Sequence, residues 1–364
     1  MVQTRDWRAL VRPAIEGLDP YVWEISSAEV AARFGVPVER VVRFDTNTSP
    51  FAPIHLGGAL GEFGTTMPLN EYPDTSYGPI VSRLCRYTGL LEDRIVVGCG
   101  ADEILDLTVR VFVESGKRVV VSRPSYAMYP VLVQAYGGVL IAVSDREPFR
   151  RDVAALIAAG RSADLLLLCN PNNPTGDLVG RDDIERIVRE VACPVAVDEA
   201  YFEFSGVTVA DLTDRYPNLV VIRTLSKAFS LAGLRVGYAL ASESMAELLN
   251  RVRPPNSVGS LSIALAAAAL DALDVMRANV AAILAEKERF TASVGPYVEA
   301  IFPTATNFLF LRVESPERVV AALLRNGLVV RDLSARPGMR GCLRVTVRRS
   351  EENDRFVAAL ASVA

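Results

Sequence analysis

Hydrophobic and polar residues follow a repeated pattern from about residue 79 onward. Short runs rich in Val, Ile and Leu predict buried strands, and apolar residues three or four positions apart predict helices with one buried face. Strands are predicted at 95–97, 118–121, 139–143, 165–169, 195–197, 219–222 and 236–240, with helices at about 79–88, 98–113, 129–136, 152–159, 181–191 and 242–252. This alternation predicts an α/β fold whose large domain has a mainly parallel sheet covered by helices on both faces.

The pattern changes after residue 252, where Pro254 and Pro255 interrupt the helical spacing. Ala- and Leu-rich helices are predicted over 261–294, followed by strands at 308–312, 328–331 and 342–347 and helices at 316–326 and 351–361. We therefore predict three segments. They are an N-terminal arm (1–44) that packs on the small domain, a large domain (45–252) and a smaller C-terminal α/β domain (253–364).

Residues 45–80 lack a regular pattern and are rich in turn-forming residues, such as the run from Asp45 to Pro50 and the pair Gly57-Gly58. An irregular segment of this length inside a compact protein is usually functional or covers a partner. We expect it to contribute to a site or to an interface.

The composition is that of a soluble globular protein. Of the 364 residues, 50% are hydrophobic and 23% are charged, and the net charge is −4. This balance does not favour a nucleic-acid partner, which usually requires a basic surface. The sequence has no apolar run of the roughly 18–20 residues needed to span a bilayer, and its first residues lack the apolar core of a signal peptide.

Cysteine and histidine usage narrows the chemistry further. The five cysteines are scattered and odd in number, which indicates free thiols in a reducing compartment, so we expect a cytoplasmic protein. The only histidine, His55, lies in a Pro/Gly-rich segment, so neither a histidine-based metal site nor a histidine-dependent triad is favoured. We expect no metal, and an organic cofactor as the source of catalytic power.

Polar motifs follow three of the predicted strands at their carboxyl ends, where ligands bind in open α/β sheets. The motifs are Asn170–Gly176 after the strand at 165–169, Asp198-Glu199-Ala200-Tyr201 after the next strand, and Thr224-Leu225-Ser226-Lys227 after 219–222. Polar motifs are less expected to occur by chance at three strand ends than at one. A glycine-rich turn, 98–103, also opens a helix, and a helix N-terminus suits an anion.

Lys227 is the residue around which these motifs are organised. Hydroxyl and apolar neighbours predict a pocket, where burial and nearby cations lower an amine pKa and make the amine nucleophilic. Thr224, Ser226 and Arg235 supply hydroxyls and a guanidinium suited to a phosphate. An amine beside a phosphate site indicates a lysine that bonds to the aldehyde of pyridoxal phosphate (PLP). The alternative is an ordinary strand–loop–strand with a solvated lysine.

Other residues fit the needs of such a cofactor. Asp198 could pair with the pyridine nitrogen, although a strand-end or helix-capping Asp is common. Asn173 and Tyr201 could contact the ring hydroxyl, and Tyr126 could stack on the ring. Turn chemistry for Asn173 and core packing for the two tyrosines are the alternatives.

Together these motifs carry a family resemblance over nearly the whole chain. Gly100–Glu103, Pro171–Gly176, Asp198–Tyr201 and Arg223–Phe229 with Gly233-Leu234-Arg235 resemble the fold-type I PLP-dependent aminotransferases, whose fold is aspartate aminotransferase-like. The most similar subgroup is the histidinol-phosphate aminotransferases. The resemblance implies transfer of an amino group from glutamate to imidazole acetol phosphate, as in histidine biosynthesis.

The resemblance also implies roles for individual residues. Lys227 is implied as the lysine that binds PLP, Asp198 as the partner of the pyridine nitrogen, and Tyr201 as a third catalytic residue. The other implied cofactor contacts are Ala101, Asp102, Tyr126, Asn173, Thr224, Ser226 and Arg235, with Tyr72 reaching the cofactor of the partner subunit in a homodimer. The implied substrate contacts are Arg344 for an α-carboxylate, Arg331 and Tyr21 for a phosphate, and Asn47.

The sequence departs from the family pattern on the substrate side. Where the family has Asn-Glu-Asn-Pro or Asn-Glu-Tyr-Pro, this chain has Asn47-Thr48-Ser49-Pro50, and Val22-Trp23-Glu24 replaces the usual Pro-Gly-Lys-Pro. These differences leave two alternatives open. One is an aminotransferase for aromatic amino acids, and the other is a PLP-dependent decarboxylase similar to threonine-phosphate decarboxylase.

Overall fold

The computed structural model describes residues 6–18, 24–66 and 70–363. Its strands are β1 (Val42–Arg43), β2 (Ile95–Gly98), β3 (Arg118–Arg123), β4 (Val139–Ser144), β5 (Leu165–Cys169), β6 (Val195–Asp198), β7 (Leu219–Thr224), β8 (Gly237–Ala241), β9 (Ala300–Phe302), β10 (Phe308–Arg312), β11 (Leu328–Val329), β12 (Arg331–Asp332) and β13 (Cys342–Thr346).

The α-helices are α1 (Pro13–Glu16), α2 (Ser27–Phe34), α3 (Gly57–Thr66), α4 (Gly78–Thr88), α5 (Gly100–Phe112), α6 (Met128–Ala135), α7 (Val153–Gly160), α8 (Arg181–Glu190), α9 (Phe202–Ser205), α10 (Glu243–Val252), α11 (Ser260–Asp271), α12 (Leu273–Val294), α13 (Pro316–Arg325) and α14 (Ser350–Ala361). Short 3₁₀ turns lie at Trp7–Leu10, Val38–Arg40, Ile54–Leu56, Glu92–Arg94, Ala210–Asp214, Ala232–Leu234 and Gly295–Tyr297. No helix in these ranges combines the length and apolarity that crossing a membrane requires.

A seven-stranded sheet forms the centre of the larger part of the chain. Its strand order is β2-β8-β7-β6-β5-β3-β4, and only β8 runs antiparallel to its neighbours. Every residue of β5, β6 and β7 is buried. Leu165 and Leu167 face one hydrophobic core, and Leu166 and Leu168 face the other, because successive side chains of a strand point to opposite faces. The predicted mainly parallel sheet, covered on both faces, is confirmed.

Helix boundaries follow local capping and the position of apolar residues. Asp152 accepts a hydrogen bond from the N–H of Ala155 at 3.0 Å and so caps α7. In α8 the buried residues are Ile184, Ile187 and Val188, which share one face of an otherwise charged helix.

A second, antiparallel sheet has the order β12-β13-β10-β9. The single strand predicted at 328–331 is wrong, because Val330 separates two short strands that belong to different sheets. Strand β11 pairs in parallel with β1, whereas β12 pairs with β13. Strand β9 was not predicted, and neither was α3 (Gly57–Thr66), which lies in the segment 45–80 that was expected to be irregular. Helix α2 of the N-terminal region lies against α13, and the three segment boundaries given above stay a prediction.

The strand ends line up at one edge of the large sheet. Cys169, the last residue of β5, pairs with Asp198, the last residue of β6, and Asp198 pairs with Ile222, two residues before the end of β7. The polar motifs that follow β5, β6 and β7 therefore begin within two residues of one another along this edge.

Candidate active site

The structure brings the strand-end motifs together around one cavity. All the predicted cofactor contacts except Tyr72 line it, together with Cys169 and Ala200: Ala101, Asp102, Tyr126, Asn173, Asp198, Tyr201, Thr224, Ser226, Lys227 and Arg235. Parallel strands that end at one edge explain how residues more than 100 positions apart in sequence come to share a cavity.

Lys227 presents its amine to this cavity. Its Nζ donates a hydrogen bond to the carbonyl of Thr46 at 3.2 Å and lies 5.9 Å from the centre of the Tyr201 ring. Burial lowers the lysine pKa to about 8, helped by the positive charges of Arg344 and Arg235 and opposed by Asp102 and Asp198. A much larger fraction of the amine is therefore uncharged near neutral pH than in an ordinary lysine, as a nucleophile or base requires.

Asp198 places a buried carboxylate across the cavity. It accepts hydrogen bonds of 3.1 Å from the Tyr129 hydroxyl and from the N–H of Ala200. Burial raises its pKa to about 6 against the effect of these two bonds. The anionic form would be favoured by a cation bound beside it, since an opposite charge stabilises a buried carboxylate.

The opposite end of the cavity is built to hold an anion. The Thr224 hydroxyl donates to Ser226 Oγ at 2.9 Å, and Arg235 Nη1 donates to the same oxygen at 3.4 Å. Arg235 also forms an ion pair with Asp102 at 3.1 Å, in the first turn of α5. Hydroxyls, a guanidinium and a helix N-terminus together form a typical phosphate site.

Two glycines make this anion site possible. A Cβ atom on Gly100, whose φ is +81°, would lie 2.5 Å from Arg235 Nη2. A Cβ atom on Gly237 would lie 2.3 Å from the carbonyl carbon of Gly100 and 2.4 Å from the nitrogen of Ala101. Any other residue at Gly237 would therefore push the turn before α5 away from β8.

Tyr126 and Tyr201 line the cavity and are held in place by contacts with neighbouring residues. Asn47, with a φ of 53°, donates from Nδ2 to the Tyr201 hydroxyl at 2.9 Å. The Tyr126 hydroxyl donates to Asp102 at 2.8 Å, and its ring meets that of Tyr129 edge to face at 5.6 Å. Burial, with the negative charge of Asp102, raises the pKa of Tyr126, so its hydroxyl keeps its proton.

Predicted substrate residues lie beside the cofactor cavity. Arg344 donates from Nη1 to Asn173 Oδ1 at 2.6 Å and also bonds the carbonyl of Asp45. Arg331 forms an ion pair with Glu24 at 2.8 Å. Both arginines border a second cavity that adjoins the first at Tyr126 and Asn173. Tyr21 lies outside the described residues.

Tyr72 does not line the cavity within a single chain. Its side chain is 86% exposed, and it borders a separate surface pocket with Tyr77, Ser260 and Ile263. The prediction that it acts in a partner subunit is untested by the single chain.

Tyr129 and Glu24 are among the residues that contact predicted site residues but have no role predicted from the sequence. Tyr129, which contacts Asp198, is one helical turn beyond Tyr126, and that spacing was a usable signal. Glu24 contacts Arg331 across 307 positions of sequence, and no local pattern could have indicated this pair.

Comparisons with known proteins show which family and which solved structures this chain resembles. A family model described as aminotransferase class I and II matches residues 39–360. The histidinol-phosphate aminotransferase of Thermoanaerobacter sp. (strain X514) is 39% identical over 323 residues, 87% of this chain and 92% of the relative. The enzyme of the same name from Roseiflexus castenholzii is 37% identical over 366 residues, 98% of each chain. The crystal structure of histidinol-phosphate aminotransferase from Sinorhizobium meliloti in complex with pyridoxal-5'-phosphate superposes with a TM-score of 0.87 at 27% identity, covering 97% of this chain and 98% of that one.

Proposed function

The chain belongs to the class I and II aminotransferase family, and from this premise we propose that it transfers the amino group of glutamate to imidazole acetol phosphate, as a histidinol-phosphate aminotransferase. It is a PLP-dependent enzyme with the aspartate aminotransferase-like fold, type I. The observation that carries the choice of substrate is the arginine-bordered cavity beside the cofactor cavity, because a phosphate ester needs cationic partners at the end away from the reacting carbon.

The residues present fit PLP at both of its charged ends. Thr224, Ser226, Arg235 and the N-terminus of α5 would hold the phosphate. A Cβ atom on Gly100 would displace Arg235, and one on Gly237 would displace the turn before α5, so both glycines preserve this arrangement. Asp198 would hold the protonated pyridine nitrogen, and this pairing would place a positive charge directly against its buried carboxylate. When bound, the cofactor supplies a carbonyl carbon for the amine and a ring that withdraws electrons from the substrate Cα.

Lys227 would both bind PLP covalently and transfer the proton of the substrate Cα. Its Nζ, with a pKa of about 8, is uncharged often enough near neutral pH to bond the cofactor. Once substrate has displaced it, the same amine would remove the proton from Cα and return it on the cofactor side. Asn173 and Tyr201 would contact the ring hydroxyl, and Tyr126 would cover the ring.

Arg344 and Arg331 would orient the two substrates in turn. Arg344, fixed by Asn173 and the carbonyl of Asp45, would bind the α-carboxylate of glutamate as a planar, bidentate partner. Arg331 would receive the distal anion, which is a carboxylate in glutamate and a phosphate in the acceptor. Histidinol phosphate has no α-carboxylate, so Arg344 would then be available to its phosphate.

The proposal includes a homodimer and a cytoplasmic location. Tyr72 and Ile54 are 86% and 87% exposed, and an exposed aromatic next to a surface pocket suits an interface. In the dimer, Tyr72 would reach the cofactor phosphate of the partner subunit. The free cysteines fit a reducing compartment.

Substrate choice is tested by comparing two acceptors, imidazole acetol phosphate and phenylpyruvate, in wild-type enzyme and in Arg331→Gln. We expect wild type to prefer the phosphate ester. The variant should lose about 10- to 100-fold in kcat/KM for it, because one charge-assisted contact is removed and the carboxylate of Glu24 is left to repel the phosphate. Phenylpyruvate should change by less than about threefold.

Arg325→Gln is the matched control for this comparison, because Arg325 is an exposed arginine at the end of α13. It should behave as wild type with both acceptors. A wild-type enzyme that prefers phenylpyruvate would contradict the proposal and favour an aromatic aminotransferase.

The anion site is tested by Gly237→Ala. The added methyl group would displace the Gly100–Ala101 backbone, so we expect the dissociation constant for PLP to rise at least about tenfold, a loss comparable with one charge-assisted hydrogen bond. Gly233 lies four residues earlier, in the 3₁₀ turn Ala232–Leu234, and no atom lies within 4 Å of a Cβ added there, so Gly233→Ala should bind PLP normally. Equal affinities of the two variants, measured by fluorescence titration of the cofactor-free proteins, would show that the turn does not hold the phosphate.

A further inference from the structure

The cavity that Arg331 and Arg344 border beside the cofactor cavity, called the substrate cavity from here on, is bordered by a third arginine. Arg336, in the loop after β12, lines the same cavity as Arg331 and Arg344. None of the described residues that line this cavity is acidic. Three guanidiniums around one small cavity make it a site for an anion of more than one charge.

The register of the small sheet places two of these arginines face to face. Arg331 of β12 and Arg344 of β13 are direct cross-strand partners, so their side chains lie on the same face of the sheet. Like charges in this arrangement repel. Glu24 pairs with Arg331, and Asn173 accepts a hydrogen bond from Arg344. A multivalent anion bound between the arginines would relieve the remaining repulsion.

The backbone around Arg336 is fixed by its neighbours. Its N–H donates to the carbonyl of Leu333 at 2.9 Å, and its carbonyl accepts from the N–H of Met339 at 3.0 Å. Leu333 and Met339 are both buried in a small core with Phe149 and Phe310. The guanidinium is therefore carried by a loop that is anchored on both sides.

Arg336 borders the substrate cavity but not the cofactor cavity, which Lys227 lines. The substrate cavity adjoins the cofactor cavity at Tyr126 and Asn173. Arg336 also borders a larger cavity that is lined by Arg123 and Met339 among others and extends to Tyr126. A substrate that reacts at Lys227 would therefore meet Arg336 with its terminal group.

We propose that Arg336 is a specificity-determining residue that binds the terminal phosphate of the phosphorylated substrate and distinguishes it from a carboxylate. This inference rests on the proposed function. A carboxylate offers two oxygens, which one bidentate guanidinium can satisfy, whereas a phosphate offers three oxygens and a second negative charge. A third guanidinium therefore stabilises the phosphate ester more than the γ-carboxylate of glutamate.

The test compares Arg336→Gln with Arg340→Gln in the PLP-loaded enzyme. Arg340 is an exposed arginine in the same loop and serves as the matched control. We expect Arg336→Gln to raise the KM for imidazole acetol phosphate about 10- to 100-fold, as loss of one charge-assisted contact predicts. The KM and kcat for glutamate should stay within about threefold of wild type, as should every constant of Arg340→Gln.

Binding of inorganic phosphate to the PLP-loaded enzyme, measured by calorimetry, gives a readout that does not depend on turnover. Arg336→Gln should weaken it about tenfold, and Arg340→Gln should not. If wild type does not use the phosphate ester but the phosphate result holds, the proposed function fails and the anion site stands. If phosphate binding is unchanged in Arg336→Gln, or if glutamate is affected as strongly as the phosphate ester, the role of Arg336 is overturned.

Discussion

Lys227→Ala should lower the rate of amino transfer from glutamate by about 10⁴-fold or more, since it removes both a nucleophile and a general base from one site. The variant should still bind PLP through the phosphate site, but without covalent attachment. Rapid-mixing absorbance measurements of the glutamate half-reaction give the rate. Chemical reduction followed by peptide mapping shows whether any lysine has bonded the cofactor.

Lys287 offers a matched control for this variant, because the sequence contains only three lysines: Lys117, Lys227 and Lys287. Burial also lowers the pKa of Lys287 to about 8, but its Nζ donates to the carbonyls of Thr304 and Thr306 at 2.6 and 2.9 Å. Lys287→Ala should therefore lose stability and keep its half-reaction. A Lys227→Ala enzyme with more than a few per cent of wild-type activity would remove Lys227 from the centre of the mechanism.

Asp198→Asn should lower the same rate by about 10²- to 10⁴-fold. The amide keeps the shape of the side chain but removes the negative charge that would hold the pyridine nitrogen protonated, and breaking a buried ion pair costs about 3–5 kcal/mol. PLP should bind more weakly for the same reason. The matched control is Asp145→Asn, because burial also raises the pKa of Asp145 to about 6 but its partner is Arg151, outside the cofactor cavity.

Although Asp198→Asn should lower the rate of amino transfer, it should raise the stability of the cofactor-free protein at alkaline pH. The pKa of Asp198 is about 6 in the folded protein and near 3.8 in the unfolded chain, so the folded state binds the proton more tightly. Wild type therefore loses stability as the pH rises through this interval, whereas Asn at 198 does not titrate. Urea unfolding should show Asp198→Asn as the more stable protein at pH 8, with the difference shrinking as the pH falls below 6. If Asp198→Asn were less stable than wild type at pH 8, burial of the ionised Asp198 carboxylate would not be destabilising.

Much of this arrangement could be predicted from the sequence because the strands of the large sheet are short and almost wholly apolar. The run Leu165–Cys169 was predicted with its observed bounds, and the motifs after β5, β6 and β7 follow from it. Carboxyl ends of parallel strands meet at one edge, so the sequence alone places Asn173, Asp198 and Lys227 near one another.

What could not be predicted depends on contacts between distant segments. Burial patterns do not reveal that Val330 separates two strands, because β11 and β12 are chosen by different partners, β1 and β13. The ion pair of Glu24 with Arg331 and the meeting of Arg336 with Arg344 at one cavity likewise depend on how the segments fold together. Sequence spacing alone contains none of this information.

The most direct test of an aminotransferase built around Lys227 is the absorbance spectrum of the PLP-loaded protein during a complete amino-transfer cycle. The protein should show a visible band that disappears when glutamate is added and returns when imidazole acetol phosphate is added in place of glutamate. The return should be more complete with this acceptor than with phenylpyruvate. A protein that shows no such band after PLP is supplied, or whose band does not respond to glutamate, would contradict the account.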